Sequence, residues 1–285
     1  MHYRILQTIK LTIISLCLSF LAGCSGLYTH QYQQDHSRAW NITHSVGMYD
    51  LEDAEVPSDQ IDRHYDHMVG YAIDVAYFST TTTSLAMSLS DAAAFSVLGL
   101  FTMEDGHGED SKPIAWVPAS EANTSREAHD WIHRNLVAAT WAGMDEMGIE
   151  EPVFNYRNQL NEQWLIEDSY ETQVWGKTES GMECGAYIRT FPDYLSDKGN
   201  MPAFFNSTEK GFRMSNNDKI SYPTYRFYCL ADGNFDPFLQ FAAKISSNLP
   251  ETMFLYTHQM EAGDNKIPPM VHDHGKILLF LVEEG

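Results

Sequence analysis

Residues 124–148 read TSREAHDWIHRNLVAATWAGMDEMG, and this stretch sets the fold class. Thr124 and Glu127 have the spacing of a capping box, in which the two side chains satisfy orphan backbone N–H groups at a helix start. Ala128, Trp131, Ile132, Leu136, Ala139, Gly143 and Met147 then recur at intervals that line up one apolar helical face. Gly148 is placed to stop the helix, because glycine accepts the left-handed backbone of a C-terminal cap. One long amphipathic helix is therefore predicted near the middle of the chain.

Downstream of it the texture becomes strand and turn. Residues 172–175, 185–191, 222–230 and 253–257 carry β-branched or aromatic side chains and are punctuated by Gly and Pro. A helix interrupts from Asp236, with Pro237 in its first turn, to about Asn248, ahead of Pro250. A last strand is read over 276–282, after a turn at His274 and Gly275. Upstream, 71–78 is strand-forming, whereas 51–66 is acidic and broken by Pro57. The apolar run from Ala92 to Met103 falls short of the about 20 residues a membrane span needs, so a buried helix or packed loop is expected there. A helical first half and a strand-rich second half predict an α+β fold with an antiparallel sheet.

The first residues read differently. Arg4 and Lys10 precede an uncharged apolar run from Leu11 to Leu21, the order of a secretory signal. Leu21, Ala22, Gly23 and Cys24 follow, and these four residues resemble the lipobox of bacterial lipoproteins. The resemblance implies cleavage before Cys24 and a diacylglyceryl group on its thiol, with a further acyl chain such as palmitate. Ser25, standing where an inner-membrane lipoprotein tends to carry aspartate, implies outer-membrane delivery at the periplasm. The expected organisation is a signal peptide at 1–23, a lipidated polar tether at 24–38 and one domain at 39–285.

Composition narrows the partners. Loss of Arg4 and Lys10 leaves 16 basic against 39 acidic side chains, a net charge of −23. Such a surface repels nucleic acid and steers toward a protein with a basic face, with a glycan left open. Of four cysteines, Cys17 leaves with the signal and Cys24 takes lipid, so Cys184 and Cys229 are expected to pair in an oxidising compartment. A bridge closing that loop is worth roughly 3 to 4 kcal/mol.

Three histidine pairs are candidate ligands for zinc or copper: His64 with His67, His129 with His133, and His272 with His274. The second pair, four apart on one helix, resembles the His-Glu-x-x-His pattern of zinc proteases, but Asp130 is a methylene shorter than the required base. Rotation about the helix puts both rings at the border of the apolar stripe, where a solvated pair is the plain alternative. Gly176, Lys177 and Thr178 fail as a phosphate loop, because the glycine required five residues earlier is Glu171. Residues 79–84, a run of Ser and Thr, offer hydroxyls for binding or an edge strand. Trp164, Trp175, Tyr222, Tyr225, Phe227 and Tyr228 divide between core and a surface that stacks on sugars or anchors a protein. No catalytic residue is assigned. The sequence points to a protein-binding envelope lipoprotein, either an accessory part of an envelope or secretion machine or an immunity protein against an antibacterial toxin. The alternative is a metal-dependent hydrolase or metal-binding protein that uses the histidine clusters.

Overall fold

The computed structural model describes residues 30–58, 60–61, 111–149, 153–158, 170–190, 195, 198–214, 224–230, 236–262 and 265–284. The strand-forming stretch at 71–78, the run at 79–84 and the apolar run at 92–103 lie outside them. Among the described residues no helix is long and apolar enough to cross a membrane.

The fold is α+β, with mostly antiparallel strands. Helix α1 (Arg38–Ser45) and strands β1 (Ala54–Val56) and β2 (Lys112–Pro118) come first, followed by the long helix α2 (Ser125–Glu146). Strands β3 (Val153–Asn158), β4 (Tyr170–Lys177), β5 (Glu183–Thr190), β6 (Gly199–Asn200), β7 (Lys210–Arg213) and β8 (Thr224–Leu230) precede helix α3 (Asp236–Ser247). The chain closes with β9 (Met253–Thr257), β10 (Met260–Ala262), β11 (Asn265–Ile267), β12 (Met270–Asp273), β13 (Lys276–Leu279) and β14 (Leu281–Glu283). Six strands form one sheet in the order β13-β12-β9-β2-β7-β6, and four form another in the order β3-β4-β5-β8.

The predicted caps hold α2. Thr124 Oγ1 accepts from Glu127 N at 3.2 Å, and Glu127 Oε2 accepts from Asn123 N at 2.7 Å, one residue before the partner of an ideal box. Gly148 sits at φ +69°, and Ile149 N donates to Met144 O, closing the helix. At Gly143 the helix meets α3 so closely that a Cβ would lie 2.9 Å from Ile245 Cγ1 and 3.1 Å from Ile245 N.

Two hydrophobic clusters flank the six-stranded sheet. Alternation along β2 sends Ile114 and Trp116 to one and Ala115 and Val117 to the other; β9 does the same with Phe254 and Tyr256 against Met253 and Leu255. The first cluster is closed by α1, through Ala39 and Ile42, and Trp116 Nε1 donates to Ser45 Oγ at 3.1 Å. The second is filled by α2 and α3 and closed by the inner face of the four-stranded sheet. Cys184 and Cys229 face each other on β5 and β8 and form the expected disulfide.

The structure differs from the sequence expectation in three places. The sheet is not confined to the second half, because β2 is one of the two partners of β9. The sequence pattern conceals this strand because it is buried on both faces and so lacks alternation, and because Pro113 and Pro118 lie within it. The expected last strand at 276–282 is interrupted at Phe280 into β13 and β14, whereas the expected turn at His274 (φ 51°) and Gly275 (φ 82°) is present and joins β12 to β13 as a hairpin. The described end of the 24–38 tether is also engaged. His30 is buried with Nε2 3.2 Å from Asn41 Oδ1, and Gln33 N donates to the same oxygen at 2.8 Å.

Candidate functional site

The four-stranded sheet sorts its side chains by parity. One set points inward: Thr172 and Val174 of β4, Ala186 and Ile188 of β5, Tyr225 and Phe227 of β8. Tyr225 is fully buried, shares a 2.7 Å hydrogen bond with Thr140 of α2, and has its phenol pushed above the usual range by burial. The other set faces outward in cross-strand rows. Glu171 lies opposite Arg189; Gln173, Tyr187 and Arg226 form the next row; Trp175, Gly185 and Tyr228 the next; Lys177 and Glu183 the last. Val153 of β3 extends the third row and is 50% exposed.

Gly185 makes room in that third row. A Cβ there would meet Tyr228 Oη at 2.7 Å, so the phenol ring lies across the glycine in the space a side chain would fill. Tyr228 donates to Glu183 Oε1 at 3.5 Å, and Lys177 Nζ is 3.7 Å from Glu183 Oε2. Burial and the Glu171 carboxylate beside it raise the Tyr187 phenol, so it stays a neutral donor. The face thus combines one indole and two phenol surfaces with guanidinium groups, the residue types that anchor protein interfaces. Among the described elements, those that pack on this sheet do so from its inner side.

The histidine candidates are placed differently from the reading of a solvated border pair. His129 and His133 are 2% and 5% exposed. Thr190 Oγ1 lies 2.9 Å from both His129 Nε2 and His133 Nδ1, and His133 Nε2 is 2.9 Å from Thr172 Oγ1. Both ring nitrogens of His133 are therefore engaged by hydroxyls, one as donor and one as acceptor, which leaves no lone pair directed at a metal. Burial lowers its pKa to about 4, so the ring is neutral at pH 7. The cause of the misplacement is that the β4–β5 hairpin covers this side of α2, which helix rotation alone cannot reveal. An open groove of about 720 Å³ runs beside it along α2, past Val137 and the 43% exposed Trp141.

His272 is fully buried with its pKa lowered to about 3 by burial, and its Nε2 is 3.2 Å from Thr257 Oγ1. His274 sits on the hairpin turn, where a 2.6 Å contact with Asp273 raises its pKa. These two therefore serve different neighbours. His64 and His67 lie outside the described residues, as do Cys24, Trp164 and Tyr222. Among the described residues no three His, Cys, Asp or Glu side chains converge as a metal site.

Trp175 and Tyr228 belong to the outward face, whereas Tyr225 and Phe227 are core. Sequence reading missed Tyr187, Arg189 and Arg226. The signal was the alternation from Glu183 to Thr190, in which every second residue is polar or Gly. Compared with family models, curated proteins and solved structures, the chain matches none.

Proposed function

We propose that the protein is a bacterial envelope lipoprotein, anchored through lipid on Cys24 at the outer membrane, whose domain acts by binding a protein. The lipobox-like residues 21–24 support the anchor. The binding half rests on one observation: the outward face that carries Trp175, Tyr187, Tyr228, Arg189 and Arg226. Its cations alternate with Glu171 and Glu183, so a docked partner meets charges of both signs. The net charge of −23 acts at longer range and favours the approach of a partner with a basic face. An envelope machine component and an antibacterial toxin both fit that description.

The test is capture from native envelopes with protein beginning at Ser25, beside a Trp175→Ala/Tyr228→Ala variant with unchanged unfolding. One stoichiometric partner held by the parent and lost by the variant supports the reading. Equal capture by both would sink this face as the interface. Stoichiometric zinc or copper without a protein partner would sink the binding role.

A further inference from the structure

We infer that the anchored domain rests its α1 side on the bilayer and so presents the outward face of the four-stranded sheet away from the membrane. This inference depends on lipid at Cys24, as proposed above. Residues 30–37 are fastened to α1 by one fully buried side chain: Asn41 accepts from Gln33 N and approaches His30 Nε2, and its Nδ2 donates to Gln33 O and Ser37 O at 2.9 Å each. Cys24 precedes His30 by six residues, a span that reaches at most about 20 Å. The anchored lipid therefore enters the membrane close to α1.

The far side of the domain lies at or beyond that reach. From α1 the layers run through the six-stranded sheet and the pair α2 and α3 to the four-stranded sheet. Packed layers stand about 10 Å apart, which puts the outward face roughly 30 Å from α1 where the helices intervene and roughly 20 Å at β8, which packs directly on β2. A six-residue tether that starts beside α1 favours contact through the α1 side over contact through that face.

The chemistry of the near side fits a headgroup region. Of the four exposed large hydrophobic side chains among the described residues, Tyr32 (41%) and Tyr49 (50%) flank α1. Tyr32 meets Phe204 edge-on, and Tyr49 meets His44, which closes a stack of His36, Trp40 and His44 with ring spacings of 3.8 and 3.7 Å. Tyr and Trp are the residues that settle at a membrane–water interface. Asp35, Asp50 and Glu52 are exposed beside them, so the surface that fits is zwitterionic. The contact need only be weak, because a short tether supplies an effective concentration on the order of millimolar.

The experiment uses the full lipidated protein on vesicles of phosphatidylethanolamine and phosphatidylcholine that contain a nitroxide-labelled lipid. A fluorophore is attached to Tyr49→Cys or to Arg226→Cys, with Gln34→Cys replacing the former if it fails to fold. Pelleting with vesicles reads the anchor, and quenching reads the orientation. Severalfold stronger quenching at residue 49 than at 226, weakened by adding phosphatidylglycerol, is expected. Pelleting with equal quenching, or with residue 226 more quenched, overturns the orientation while leaving the anchor intact. Failure to pellet overturns both.

Discussion

The two sheets are built from one chain by different rules. The six-stranded sheet is covered on both faces, and its inner strands β2 and β9 are buried almost throughout. Among the described residues the four-stranded sheet is covered on one face only, and its strands alternate between core and surface. Burial on two faces commits every side chain to packing, whereas burial on one face frees alternate positions for another task. The difference teaches where to look for function: on the sheet that packing has not used up.

The contrast can be broken by mutation. Phe254→Ala in β9 removes a fully buried ring and is expected to cost about 3–5 kcal/mol in urea unfolding. Loss of the disulfide in Cys184→Ser/Cys229→Ser, which bridges strands of the half-covered sheet, is expected to cost about 2–4 kcal/mol by the same measurement. Thr190→Val strips a hydroxyl from two buried imidazoles, with an expected cost of about 1–3 kcal/mol. Trp175→Ala and Tyr228→Ala, on the outward face, should each shift stability by no more than about 1 kcal/mol while abolishing partner capture. If either costs as much as Phe254→Ala, the outward face is part of the core and the comparison fails.

Acid sharpens the same contrast, since both cores hold neutral imidazoles. His44, His133 and His272 have folded pKa values of about 4, 4 and 3, lowered chiefly by burial, against 6.5 when exposed. Below pH 6.5 the unfolded chain takes up protons that the folded chain refuses, so stability is full above that pH and falls toward pH 4. Urea midpoints measured at pH 7.5, 6 and 5 should decline in that order. A flat profile would mean that these rings are open to solvent.

Much of this was legible in the sequence. The long helix, the α3 segment, four of the downstream strands and the disulfide follow from caps, Pro positions and side-chain type, all of which are local signals. Strand β2 was illegible because two-sided burial erases alternation, and the prolines at its ends point the wrong way. The outward face was half legible. Trp175 and Tyr228 stood out as aromatics, but their separation from Tyr225 and Phe227 depends on strand register, which pairing partners fix and composition does not. The fate of His129 and His133 was illegible for a similar reason: Thr172 and Thr190, which enclose them, lie 39 to 61 residues away.

Strands β1 and β14 run parallel, with Ala54 N donating to Phe280 O and Glu284 N to Val56 O. Under tension between the tether and the far end of β14, such a pair is loaded in shear, so its hydrogen bonds must yield together instead of peeling one at a time. For a chain pulled from its first residues, the pairing is a mechanical latch. Pulling between residues 30 and 284 should open this small sheet abruptly, and a force-extension trace should show that rupture ahead of the cross-linked β5–β8 pair.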